Sequence, residues 1–131
     1  MAELHDIVDK NDKVIGQMSY AQAREEQKII RVVHNWIINS QGRVLFQFRK
    51  ASKTSYPRHY DAAVGGKVMA GESYESAVKR ESEEELGIKV KPTYAGKLFV
   101  DIPYEYKFIH IYYSIHDGPF TGWEEEAESL E

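Results

Sequence analysis

The chain contains no cysteine, and that absence removes disulfides, thiolate metal sites and a cysteine nucleophile from consideration. A cysteine-free chain fits a reducing compartment, so a cytoplasmic location is the expectation. No apolar run approaches the roughly 20 residues that a membrane-spanning helix needs. Met1 to Asp6 has no basic stretch leading into an apolar one, so no leader and no membrane are expected. Basic charge is not in excess: 17 Lys and Arg stand against 21 Asp and Glu, a formal net charge of -4. There is thus no strong sign of nucleic-acid binding. What is present suits a folded protein: 131 residues, 42% apolar and 29% charged, enough for one core and one domain over residues 1–131.

Prolines are few, four in all, so punctuation is sparse and informative where it occurs. Residues 5–9 and 13–17 flank Lys10-Asn11-Asp12 and read as an N-terminal hairpin. Ser19 and Gln22 have capping-box spacing, which predicts a short helix to about Gln27. Residues 29–38 are rich in β-branched side chains, and Val44, Phe46 and Phe48 alternate with Leu45, Gln47 and Arg49 after Gly42. This predicts a second hairpin in the main sheet. Lys50 to Tyr60 reads as a polar loop, and a helical pattern runs from Ser73 to Leu86, where Gly87 stops it. Strands follow over 94–101 and 107–115, the second apolar enough around Phe108 to Tyr113 for burial on both faces.

On the predicted helix, Glu81, Glu84 and Glu85 stand at i, i+3 and i+4, within an arc of roughly 100°. Glu83 falls on the opposite side and reads as solvated. Like charges this close repel. Divalent cations relieve that repulsion, and hard carboxylate oxygens suit Mg²⁺, or Mn²⁺, rather than zinc. Gly65 and Gly66, just ahead of the helix, let backbone approach a metal or phosphate. A run of glutamates alone is usually a solvated helix face.

The spacing of this run points elsewhere. The order Gly66, five residues, Glu72, seven residues, Arg80-Glu81, two residues, Glu84-Glu85, one residue, Gly87-Ile88 resembles the box of the Nudix hydrolases. Seven fixed residue types would recur by chance in fewer than about one such chain in a million. The resemblance implies an α/β (α+β) fold, an α/β/α sandwich around a mixed sheet, and Mg²⁺-dependent hydrolysis of a diphosphate linkage in a nucleoside diphosphate bonded to another group. It further implies Glu81, Glu84 and Glu85 as metal ligands with the Gly66 carbonyl. Glu81 and Glu84 would act in catalysis together with Arg80, and Glu72 would brace the loop with Arg80. One position departs: the family usually has an aliphatic residue where this chain has Ser82, whose hydroxyl can bond back to the Val78 carbonyl.

Several residues outside the box are candidates. Arg49, Lys53, Arg58 and Lys67 surround the expected mouth in sequence order and suit the outer phosphate of a small-molecule diphosphate substrate. Glu105, or one of Glu124, Glu125 and Glu126, could add an acid as a further ligand or general base. His34 and His110 read as strand residues near the core, and Trp36, Tyr56, Tyr60 and Tyr104 as packing aromatics. The N-terminal hairpin and the stretch from Arg49 to Asp61 also resemble the isopentenyl-diphosphate isomerase branch of the same fold. That branch has a cysteine where this chain has Gly65, and a histidine where it has Lys67, so hydrolysis ranks ahead of isomerisation. A non-catalytic ligand-binding module is the third reading. Against the family pattern the C-terminus looks truncated, and an uncovered apolar face there could drive homodimer formation.

Overall fold

Residues 3–53, 56–125 and 127–131 are described in a computed structural model of the chain. The N-terminal hairpin forms as expected, with β1 (Leu4–Val8) antiparallel to β2 (Val14–Ser19). Asp12 takes the positive φ, 62°, that its turn requires. Ser19 caps α1 (Tyr20–Glu25) by accepting from the Gln22 amide at 3.2 Å. The reciprocal half of the capping box is missing, because the Gln22 side chain donates forward to Glu26 at 2.7 Å.

Strand β3 (Ile30–Ile38) starts the main sheet, whose order is β6-β3-β8-β7. It runs antiparallel to β6 (Val64–Lys67) and parallel to β8 (Glu105–Ile115), which in turn pairs antiparallel with β7 (Thr93–Ile102). The sheet is therefore mixed, as expected. Strand β4 (Phe46–Arg49) corrects the second expected hairpin. The segment leading into it meets β3 through an isolated bridge between Ile38 and Val44 and the bond from the Leu45 amide to the Ile37 carbonyl at 2.8 Å, without a continuous ladder. It then leaves to form a separate three-stranded sheet, β5-β4-β9, with β5 (Tyr60–Ala62) and β9 (Ala127–Leu130). The cause is occupancy. One edge of β3 is taken by β8 over its whole length and the other by β6 over Val32 to Asn35, which leaves β4 no edge to follow. Residues near the C-terminus supply β9, which pairs antiparallel with β4 at the edge of that second sheet.

The two faces of the main sheet carry different cover. Ile30, Val32 and Ile109 pack with Ile7 of the hairpin and Ala23 of α1. On the opposite face, Val33 and Tyr112 pack with Ala77 and Val78 of α2 (Tyr74–Leu86). Burial of Phe108, Ile109 and Tyr112 on β8 follows from that sandwich, while Tyr113 at the strand's far end is 38% exposed. The C-terminal half of α2 lies on a third cluster, where Leu86 and Ile88 meet Ile37, Ala63 and Val64. Among the described residues no helix is long and apolar enough to cross a membrane.

Candidate active site

The site begins at the bend from β5 into β6, which carries Gly65 and Gly66 opposite His34 and Val33 of β3. From Lys67 the chain turns through Val68 to Glu72 into α2, whose N-cap Ser73 accepts from the Ser76 amide at 3.1 Å. The N-terminal hairpin clasps this turn. The Ala70 amide donates to the Leu4 carbonyl at 2.9 Å, the Gly71 amide to Asp6 at 3.0 Å, and His5 Nδ1 lies 3.0 Å from the Val68 carbonyl. Asp6 and His5 are each 4% exposed. They have no place in the box spacing. The only sequence trace of their role is two polar residues inside an otherwise apolar strand.

Arg80 organises the acids. Its Nε and Nη2 grip both oxygens of Glu72 at 2.7 and 2.9 Å, a fork that fixes the carboxylate in plane. Its Nη1 donates to Glu81 at 2.8 Å and Glu84 at 3.3 Å, and Nη2 also reaches the Lys67 carbonyl at 3.2 Å. Glu72 in turn accepts from the Met69 amide at 3.1 Å, so the guanidinium ties turn, strand and helix together. The Arg80 bond is the main reason the Glu72 carboxyl is held below its ordinary pKa.

Glu81 stands directly over Gly66. A β-carbon at Gly66 would fall on the Glu81 carboxylate, 2.5 and 2.6 Å from its two oxygens. Burial pushes the Glu81 carboxyl above its ordinary pKa, against the pull of Arg80. Glu85 accepts from the Gly65 amide at 3.3 Å and also hydrogen-bonds Glu81. Glu84 is more open and Glu83 is exposed, as the helical wheel predicts.

Among the described residues no three Asp, Glu or His side chains are drawn together into a metal cage. The contacts explain this: Arg80 holds Glu81 and Glu84, and the Gly65 amide holds Glu85. The donor set nevertheless fits a hard divalent cation. Three carboxylates and backbone at a position with no room for a β-carbon face one cleft of about 760 Å³, with the Glu84 side chain 59% exposed.

That cleft is also lined by Glu3, Lys53, Lys67 and Glu125. A second cavity of about 400 Å³ shares Tyr20, Gly65, Gly66, Lys67 and Glu85 with it. Its floor is Ile30, Val32, His34 and Ile109, and its walls include Arg49, Tyr56, Tyr60, Tyr104 and Lys107. Thus Lys67 lines both spaces, with its Nζ 4.1 Å from the centre of the Tyr20 ring, while Lys53 lines the carboxylate cleft and Arg49, paired with Asp61 at 3.7 Å, lines the second cavity. Arg58 does not join them. It pairs with Glu128 at 3.0 Å, lies over Phe48 at 5.1 Å and lines neither cavity. Glu105 lines the second cavity and not the carboxylate cleft, and accepts from Tyr56 at 3.1 Å. Of the other outside acids, Glu125 lines the cleft, whereas Glu126 lies outside the described residues. Tyr56, Tyr60 and Tyr104 are cavity walls and not merely packing aromatics, and Trp36 packs edge-on against Phe46 at 5.5 Å.

Comparison with known proteins agrees with this geometry. The model of the NUDIX domain matches residues 28–130. An uncharacterised Nudix hydrolase of Streptomyces coelicolor is 46% identical over 90 residues, covering 69% of this chain and 50% of that protein. This chain therefore spans half the length of that relative. An isopentenyl-diphosphate Delta-isomerase of Serratia proteamaculans is 32% identical over 135 residues, covering 98% of this chain and 75% of the relative. A crystal structure from Deinococcus radiodurans superposes with a TM-score of 0.83 at 27% identity, covering 98% of this chain and 82% of that one.

Proposed function

Because the chain belongs to the Nudix family, we propose that it is a Mg²⁺-dependent hydrolase cleaving the diphosphate linkage of a nucleoside diphosphate bonded to another group. The observation that carries this reading is Glu81 seated on Gly66, between Arg80 and Glu85, at the junction of an acidic cleft and a cavity with basic and aromatic walls. Glu81, Glu84 and Glu85, with the Gly66 carbonyl, would hold the cation. The cation supplies neutralisation of diphosphate charge and a more acidic bound water. Arg49, Lys53 and Lys67 hold the outer phosphate oxygens. Glu81 takes the proton of the attacking water, a role supported by its position over Gly66 in the hold of Arg80. Arg80 orients Glu81 and, through Glu72, holds the turn that presents Gly66. A cytoplasmic location and a homodimer belong to the same proposal.

The relative named as an isomerase keeps a second reading in view, allylic isomerisation of an isoprenoid diphosphate. The absence of any cysteine, and Gly65 and Lys67 at the two differing positions, rank it lower. Both are tested by one panel of nucleoside triphosphates, nucleotide sugars, dinucleotides and isoprenoid diphosphates, incubated with Mg²⁺ or with chelator and read by product identity. Hydrolysis of a nucleotide that stops in chelator is the expected result. Turnover in chelator would sink the mechanism, and interconversion of isoprenoid isomers without diphosphate cleavage would reverse the ranking.

A further inference from the structure

We infer that Asn35, Ser82 and Ser114 form a buried positioning relay that sets where α2 holds Glu81 and Glu85 against Gly66. The inference rests on the reading of those acids as the cation-holding group. The three side chains are 0%, 0% and 3% exposed. Ser114 Oγ on β8 donates to Asn35 Oδ1 on β3 at 3.0 Å, Asn35 Nδ2 donates to Ser82 Oγ on α2 at 3.0 Å, and Ser82 Oγ donates to the Val78 carbonyl at 2.7 Å. Each hydroxyl proton is used once and in one direction, so the chain of bonds links both central strands to the helix with no hydroxyl left unmet.

Asn35 is well placed for this work. Its backbone pairs with Val64 of β6, next to the pairs that carry Gly65 and Gly66. Ser82 lies beside Glu81 and three residues before Glu85. One short relay therefore joins β3, the strand on which the glycine-bearing β6 is registered, to the helix that presents the acids. The contacts of α2 with the sheet through Ala77, Val78 and Leu86 are apolar and without direction. Its other polar ties, from Arg80 to the Lys67 carbonyl, from the Gly65 amide to Glu85, from Tyr74 to Asp12 and from the Thr121 amide to the Leu86 carbonyl, lie at the acids themselves or at the helix ends. A slide of one residue would turn the helix by about 100° and shift it about 1.5 Å. Apolar packing resists such a slide weakly, whereas hydrogen bonds weaken steeply once bent. The tolerance needed is small, because the space between Gly66 and Glu81 does not admit one carbon.

Stability alone gives no reason for the relay, since an apolar trio of the same volume would fill the space at similar or lower free energy. The test uses two variants. Ser114→Ala removes one hydroxyl two elements away from the acids, and Asn35→Leu/Ser82→Val/Ser114→Ala replaces the relay by apolar groups. Each is read for melting temperature, for Mn²⁺ affinity of the metal-free protein by electron paramagnetic resonance, and for kcat and KM on the panel substrate turned over fastest. Mn²⁺ binding is expected to weaken several-fold and kcat to fall about tenfold in the triple variant, with KM within twofold and melting temperature restored. Ser114→Ala should show the same pattern at smaller amplitude. Mn²⁺ affinity and kcat within twofold of wild type in Ser114→Ala, or in a folded triple variant, would overturn the relay. A wild-type protein that binds no Mn²⁺ and cleaves nothing would instead remove the site reading itself, and the relay with it.

Discussion

Gly66 has no space for a single added carbon, and this makes it the most constrained residue of the site. Gly66→Ala is expected to displace Glu81 and lower kcat by at least about 100-fold, in line with loss of a positioned acid or base. A circular dichroism spectrum like that of wild type would show that the damage is local. Glu84→Gln deletes one ligand charge on a side chain that is mostly solvated, so activity should fall by a similar factor at unchanged melting temperature. Equal activity of that variant would reduce the acidic face to a surface feature. His110 offers a different prediction. Its Nε2 is buried without a hydrogen-bond partner, and its ring stacks on Tyr74 at 3.3 Å between centres. Burial holds its pKa below the ordinary value, against Asp12 and with Lys97 and Arg31. A depressed histidine pKa means that the unfolded chain binds the proton more readily. Its contribution is therefore fully present above the unfolded value near ~6.5 and is lost as pH falls through the folded value. Melting temperature should decline as pH falls below about 6.5, and less steeply in His110→Phe, which keeps a ring but does not titrate. Parallel profiles would exclude His110 as the cause.

At the scale of the element, α2 owes its precision to its two ends as much as to its apolar face. Ser73 caps one end, and Gly87 ends the other in the left-handed region at φ 67°. A β-carbon there would also collide with Thr121 Oγ1. Gly87→Ala should cost about 1 kcal/mol or more, because strain and clash both oppose it. For a domain of this size that is roughly 3 °C or more in melting temperature, measured by calorimetry. An unchanged value would mean that the segment around Thr121 yields without cost. The turn before α2 is held by β1 through Asp6, Leu4 and His5. The N-terminal hairpin is thus part of the site's scaffold and not an appendage.

For the whole molecule, the outer edge of β7 is the feature that the fold leaves open. It is the last strand of its sheet, and Leu98, Phe99 and Ile102 are 51%, 37% and 46% exposed. An unpaired apolar edge invites another strand. If two copies paired antiparallel about Phe99, Lys97 of each would stand opposite Asp101 of the other, so the edge is complementary to itself in charge. Light scattering after size exclusion should therefore show a dimer at high concentration. Asp101→Lys should weaken it, and Lys97→Asp/Asp101→Lys should restore it. A monomer at every concentration would refute the pairing.

The acids, the glycines before them and the helix that spaces them are legible in the chain, because box spacing and helical period are local properties that survive without knowledge of the fold. The N-terminal hairpin, the helix caps and the strands β3, β7 and β8 are legible for the same reason, whereas β9 is not. Ser82 shows where local reading stops. By sequence it is an imperfection bonded to Val78, while its link to Asn35 and Ser114 spans 47 and then 79 residues. The same holds for β4, whose partners are set by which edges of β3 are already occupied. Arg58 lies near the mouth in sequence order, yet Glu128 holds it elsewhere, and Glu105, a candidate acid by sequence, meets Tyr56 on the wall of the second cavity. Local spacing determines which chemistry the chain can carry. Long-range pairing, which no window of residues contains, decides which side chains reach it.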